Sequence, residues 1–503
     1  MFNFHPSLDV WGNSLFSLDL QSDYAAVMQD QSLPEPVRHA SQPRKDLWSS
    51  CGLVEDAFIN ALSAYFTFAA PALPVLSTEA FWSDYDAGKC SDALVYAIAC
   101  RGIPFVEVPS KWETQQHVAR KFKDAFFSSR KERQDGCARL DDAEALALMI
   151  GFDYGTDPDS GHSCGDMESL FLSYDSLVLM TLRCQSQDAH ATFNSEGLAA
   201  ATQRRTLLFW HVYGLDAFDS LDRKSAPRVP DRSSGNEREN LPSLEPGSYL
   251  DAILSLSMVA RKITSQLCSS KSRSEGATYS NIKSLYSQLD DWHRFSCPFF
   301  LQRNQENNGD LGAPSLVYGF SGQPDQLVQL QRSVLWALEI NCYMQIESCV
   351  AAFGICSSDK PFEVEIASLE VQSMTLQIVN TGMQLAKFMN EEWKQDTIRS
   401  PANITPSIAR DICAGLCNWV CLRASHLRKK GAEMENLSPY CRIRKRDNET
   451  DIGGTIQGYL DAAREFRRAI ATATSHKSTK AVLESIEGRI ATLEETMAKH
   501  TKS

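Results

Sequence analysis

Acidic pairs in a helical sequence are a first place to look for chemistry, because two carboxylates one helical turn apart can grip a magnesium ion and the diphosphate bound to it. The chain carries Asp141-Asp142 and Asp290-Asp291. Asp142 is followed by Ala145 and Leu146 where the next turn needs an aspartate, and Asp291 by Trp292-His293-Arg294-Phe295. Both pairs are therefore expected to be helix caps or solvated pairs. Cys413, Cys417 and Cys421 fall at i, i+4 and i+8 on one helix face, a stripe that could meet a soft metal. A tetrahedral site closes with a ligand from a second segment; none is evident, and cysteine packs well as a small apolar residue, so the stripe is expected in the core. His162 and Cys164 lack a second ligand pair. Gly319-Phe320-Ser321-Gly322 lacks the second glycine of a nucleophile elbow, and no glycine-rich phosphate loop occurs. The residues offer no catalytic and no metal site, and the chain is read as not an enzyme. A run of Arg442, Arg444, Lys445 and Arg446, with Arg428, Lys429 and Lys430 nearby, could contact phosphates or serve nuclear import; a solvated loop is the commoner explanation.

The elements around these residues are helical. From about Leu53 onward, strand-like alternation is rare. Ser91–Ile103, Asp141–Phe152, Ile366–Met389 and Thr405–Leu422 read as helices, with Thr405 as a cap before Pro406. Leu335, Leu338, Cys342, Ile346, Cys349 and Phe353 mark one face of another. The fold class is all-α. Residues 1–50 read as a weakly ordered arm in which Phe2, Phe4, Trp11 and Phe16 alternate with Asp9, Asp19 and Asp23. That composition suits an activation segment or an arm docked on the core. Residues 51–445 form the main helical domain, with disordered loops expected near 223–248, 269–279 and 303–313. Residues 446–503 hold further helices. There Leu483, Ile486, Ile490, Leu493 and Met497 form a short coiled-coil-like seam. Two heptads are marginal alone, so packing on the protein's own core and pairing with another chain both remain open. As an exposed apolar stripe, the seam is expected to matter for association only.

Composition narrows the function classes. The 503 residues are 43% hydrophobic, enough for a large core. The net charge of −13 opposes a phosphate-binding surface spread over the whole chain. The fifteen cysteines form no disulfide framework and fit reduced thiols. The start has no secretory pattern, and no apolar run is long enough to span a membrane.

The most specific stretch is Arg204-Arg205-Thr206-Leu207-Leu208-Phe209-Trp210-His211-Val212-Tyr213-Gly214-Leu215-Asp216. A helix apolar all round is buried, which places Trp210 in the core. Arg205 and Asp216 lie roughly 16 Å apart along such a helix, too far to pair directly. Each of these charges must therefore find partners on neighbouring helices or at the helix ends. The stretch resembles the central segment of the fungal-specific transcription factor domain, the middle homology region of zinc binuclear cluster regulators. The resemblance rests on Arg204, Arg205, Phe209, Trp210, Leu215, Asp216, Ser220, Leu221 and Pro227, then Leu241-Pro242. It extends upstream to Ala64-Tyr65-Phe66-Thr67-Phe68, Leu73-Pro74-Val75-Leu76 and Phe81-Trp82. Where the family has Gly-Arg-Pro, this chain has Ser225-Ala226-Pro227.

The resemblance implies a nuclear regulator of RNA polymerase II transcription, working through effector or protein contacts and able to form homo- or heterodimers. Complete members read DNA with two zinc ions held by six cysteines; here the first cysteines are Cys51 and Cys90, and no stretch matches that spacing. The alternatives are a cluster-less co-regulator paired with a complete factor, and an all-helical enzyme of secondary metabolism. Zinc modules are unfolded without their metal, so their ligands are indispensable. The purified chain is accordingly expected to hold no stoichiometric zinc and to prefer no DNA site when alone. Elemental analysis with a selection from random duplexes at near-physiological salt checks this; two zinc ions per chain or one enriched motif would overturn it.

Overall fold

The structure is a computed structural model that describes residues 47–131, 139–150, 152, 154, 173–186, 195–229, 248–302, 324–356, 360–391, 412–425, 452–471 and 477–500. Residues 1–46, His162, Cys164, residues 230–247 with Leu241-Pro242, residues 303–313, the Gly319–Gly322 stretch, Thr405, Arg428 to Lys430 and the Arg442–Arg446 run lie outside the described residues.

The described residues are predominantly helical, with no strand and a single bridge between Ala277 and Ile355. Helices α1 (Glu55–Ala64), α2 (Thr78–Asp86), α3 (Asp92–Gly102), α4 (Lys111–Lys131), α5 (Leu140–Met149) and α6 (Tyr174–Ser186) precede the long α7 (Ser195–Arg223). After it come α8 (Tyr249–Leu267), α9 (Tyr279–Asp291), α10 (Pro324–Phe353), α11 (Pro361–Glu391), α12 (residues 412–425), α13 (Ile452–Ala471) and α14 (Lys477–His500).

Hydroxyl caps set many of the starts. The side chains of Ser77, Ser91, Ser248 and Thr278 accept hydrogen bonds from the backbone N–H three residues on, satisfying donors that a helix N-terminus leaves open. The aromatic run after Ala64 leaves the α-helical path: Tyr65–Ala69 is a π-helical turn. There α1 crosses α3 so closely that a Cβ on Gly102 would stand 1.7 Å from the carbonyl oxygen of Ala61, so only glycine fits.

Two apolar cores result. The first gathers α1 to α6 with Leu208, Phe209, Val212 and Tyr213 of α7. The second gathers α8 to α14 with Ala217 and Leu221 of the same helix. Helix α7 thus belongs to both. Cys413, Cys417 and Cys421 are all buried in the second core, as their apolar reading expects, and Cys417 donates to the carbonyl oxygen of Ala463 at 3.6 Å.

Two expectations need correction. Residues 269–279 do not form a disordered loop: Ser270–Glu275 is a short helix capped by Ser269. Buried Ser272 donates to the carbonyl oxygen of Gln266 at 2.6 Å. Hydroxyl hydrogen bonds supply the order that apolar burial supplies elsewhere. Gly276, at φ +92, closes the segment where a side chain would strike the backbone of Ile355 and Cys356. The seam at the C-terminus is not an exposed stripe either. Ile486 and Ile490 are buried in the second core, with Val482 and Leu483 packed against it. Two ion pairs, Arg464–Glu494 at 2.7 Å and Arg467–Glu487 at 2.5 Å, run between α13 and α14. Deleting residues 477–503 should therefore lower the stability of the fold itself, by on the order of 3 kcal/mol for the apolar surface uncovered. The measurement is the midpoint of chemical unfolding; an unchanged midpoint would mean that α14 adds nothing to the core.

Candidate functional site

The residues singled out along α7 build two buried charge centres, one in each half of the helix. At the first, the Arg204 guanidinium meets three carboxylates. Its Nε and Nη2 donate to the two oxygens of Glu144 at 3.1 and 2.5 Å, Nη1 donates to Asp84 at 2.7 Å, and Nη2 also donates to Asp141 at 2.8 Å. The other oxygen of Asp141 accepts from the backbone N–H of Ser91 at 2.7 Å, at the start of α3. One side chain of α7 thereby ties together α2, α3 and α5. The bidentate contact to Glu144 uses the planar fork of arginine, which lysine cannot reproduce.

Asp141 and Asp142 are accordingly not a solvated pair. Asp142 is 1% exposed and Glu144 fully buried. Burial pushes the Glu144 carboxyl up to about 7, against the hydrogen bond and charge of Arg204, with Asp141 and Asp84 adding to the rise. Three carboxylates around one guanidinium leave excess negative charge in a dry place, and a proton on Glu144 relieves it. Arg139 reaches Asp141 from its exposed side at 3.9 Å.

At the second centre, Asp216 is fully buried and accepts from the backbone N–H groups of Arg228 and Val229 at 3.1 and 2.9 Å. It also accepts from Nη1 of Arg261 on α8 at 3.0 Å. Arg261 donates in addition to the carbonyl oxygen of Val229, and its guanidinium lies 4.4 Å from the centre of the Tyr213 ring. Asp216 thus folds the chain that leaves α7 back against the helix. The turn uses a left-handed residue, and it is Lys224, at φ +54, that takes it. The N–H of Lys224 donates to the carbonyl of Leu221, and that of Ser225 to the carbonyl of Ser220, a helix-closing arrangement in which glycine is usual. The Lys224 Nζ donates to Ser348 of α10 at 2.8 Å.

The remaining motif residues pack. Phe209, Ser220 and Leu221 are buried. Trp210 and Leu215 are half-buried against the first core, so Trp210 lies at its margin rather than its centre; its ring meets Phe209 and Tyr213 edge-on at 5.4 Å each. Arg205 is half-buried, close enough to Cys184 to act on its thiol, and Pro227 is half-buried in the turn.

Sequence reasoning missed several polar groups. His211 hydrogen-bonds to the backbone of Pro74, and burial pushes its pKa down to about 4. Arg101 caps the end of α5 through the carbonyl oxygens of Leu148 and Ile150. On α10, buried Glu347 accepts from Trp419 Nε1 at 2.7 Å and pairs with Arg423, and Asn341 and Gln345 both donate to Asp222 of α7. The available signal was a charge inside an otherwise apolar run, as at Glu144 and Glu347.

Among the described residues no group of three or more histidines, cysteines or acids is placed to hold a metal ion, and no helix is long and apolar enough to cross a membrane. The exposed pair at Asp290 and Asp291 makes only a surface contact, Arg294 to Asp290 at 3.6 Å.

Glu144 and His211 make stability depend on pH in opposite senses. The raised Glu144 pKa gives stability that is complete below about 4.5 and is lost as pH rises towards 7; the lowered His211 pKa gives stability present above about 6.5 and lost as pH falls towards 4. Glu144→Gln should therefore gain on the parent as pH rises from 5 to 8, by on the order of 3 kcal/mol in the difference. Unfolding free energies of both proteins across that range check it, and parallel curves would show that Glu144 does not titrate there.

Residues 62–227 match the fungal specific transcription factor domain family. The match runs from within α1 to Pro227, so it contains Arg204 with its three acids, and Asp216 with the start of its turn. No curated protein and no solved structure matches the chain.

Proposed function

Since the chain carries a fungal specific transcription factor domain, we propose that it regulates RNA polymerase II transcription in the nucleus through protein contacts and without catalysis. The observation that carries this reading is the family match over residues 62–227. The acidic balance of the chain, −13, supports a role away from the phosphate backbone, with DNA reached through a partner protein that reads the sequence.

The proposed mechanism uses no zinc, because the cysteines among the described residues do not fit it. The cysteines among the described residues are all buried, and the stripe on α12 faces apolar neighbours and a carbonyl oxygen. What this chain's own residues supply is a stiff helical body. Arg204 and Asp216 lock α7 between two cores, so that a protein docked on one half meets a surface held in register with the other.

The test is to fuse the chain to an unrelated DNA-binding module in a fungal reporter strain. Reporter output should change several-fold, up or down, relative to the module alone. Output equal to the module alone on both a silent and a constitutively active reporter, with the fusion confirmed in the nucleus, would sink the reading.

A further inference from the structure

We propose that Cys268 and Cys349 are an oxidisable dithiol, which hydrogen peroxide closes to a disulfide between the end of α8 and α10. Their sulfur atoms are 3.5 Å apart. A bonded pair sits at about 2 Å, so the two sulfurs need to approach by only about 1.5 Å for the bond to form. Cys268 is the capping residue that ends α8 and is therefore freer to adjust than a residue inside the helix. It keeps 9% of its surface exposed while Cys349 keeps none, which gives a small oxidant one sulfur to reach and leaves the other behind it.

The surroundings favour the thiolate at Cys268. Lys224 and Arg273 both act on it. Arg273 donates from Nε to the carbonyl oxygen of Cys268 at 2.9 Å and from Nη2 to the carbonyl oxygen of Lys224, which fixes its guanidinium beside the pair, and the Lys224 ammonium is held by Ser348 at 2.8 Å. The hydrogen bond between the two thiols, together with these charges, holds Cys268 below the ordinary thiol range against the effect of burial, while Cys349 is raised. A thiolate beside cations is the reactive form, and a thiol in contact with it is placed to resolve the product. Other buried thiols lack one of these features. Cys417 and Cys421 sit a turn apart on one helix, whose backbone holds their positions. Cys413 is buried away from charge.

The chemistry balances. The Cys268 thiolate attacks one peroxide oxygen; the O–O bond breaks, hydroxide leaves and takes up the proton lost from Cys268, giving water and a sulfenic acid. The Cys349 sulfur then attacks the Cys268 sulfur; the S–O bond breaks, and the departing hydroxide takes the Cys349 proton as a second water. Two thiols lose two electrons, and one peroxide becomes two waters.

The experiment uses the full chain, reduced, freed of reductant and exposed to hydrogen peroxide. Remaining thiols are alkylated, and the protein is digested without reduction. Mass spectrometry should show the Cys268 and Cys349 peptides joined with the loss of two hydrogens, many-fold above any other cysteine pair and reversed by dithiothreitol. The melting midpoint should rise on oxidation, because the bond spans 81 residues and restricts the unfolded chain. In Cys349→Ser, Cys268 should accumulate as a sulfenic acid captured by dimedone. Cys268→Ser should abolish both products, and Cys421→Ser should change neither. The parent measurement needs no variant to fold. Free alkylation of both Cys268 and Cys349 after peroxide, or oxidation of Cys268 without the cross-link, would overturn the proposal.

Discussion

The Arg204 guanidinium is the contact on which the first half of the structure depends. Its side chain is 14% exposed, and Asp141 and Glu144 beside it are 11% and 0% exposed, so water compensates little of the charge on any of them. In such a place a missing partner costs more than the pair contributes when complete, because an uncompensated ion remains in a low dielectric. The cluster therefore acts as a constraint. α2 and α5 cannot drift from α7 without stranding a carboxylate, and α3 is bound to the same point through the Ser91 N–H.

Twelve residues on, roughly 18 Å along the helix axis, Asp216 imposes the same kind of constraint on the second half. The spacing between Arg204 and Asp216 matches the division of labour along α7, since Leu208 to Tyr213 fill the first core and Ala217 and Leu221 the second. Each charge sits in one half of a helix whose two halves belong to different bodies. The far end is fastened again, by Asp222 to Asn341 and Gln345 and by Lys224 to Ser348. A single helix with polar anchors at both ends makes the two cores one mechanical unit.

Much of this was legible in the sequence, and the part that was not has a common cause. Apolar spacing along a helix reports which face is buried, so the face from Leu335 to Phe353, the cysteine stripe and the all-round apolar character of α7 could be read directly. That Arg205 and Asp216 need partners followed from the cost of burying charge, but it is the neighbouring Arg204 that gathers the three acids. Which residues answer these charges did not follow, because Asp84, Asp141, Glu144 and Arg261 are distant in the chain and nothing in their own segments says that they face α7. Asp141 reads as a helix-start acid and is one, but for the start of α3 rather than of its own helix. Residues 269–279 misled for a related reason: serine-rich composition signals weak burial, yet hydroxyls that cap and back-bond can order a turn without it. The seam on α14 shows the limit of periodicity, which marks a stripe as apolar but does not say what covers it.

The chain's acidity also has an interior component. Formal charge counts every carboxylate as ionised, but Glu144 competes for charge with Asp84 and Asp141 around one guanidinium, and its pKa of about 7 places a proton there for part of the time at neutral pH. Three acids facing one base are a poor choice for stability alone, since two would match the donor geometry with less repulsion. What the third provides is a tie to another element: Asp84 comes from α2, whereas Asp141 and Glu144 come from α5. The surplus charge is thus a consequence of joining three helices to α7 through one guanidinium, and the raised pKa of Glu144 is how the interior accommodates it. The fold and its protonation are coupled at the point where α7 enters the first core.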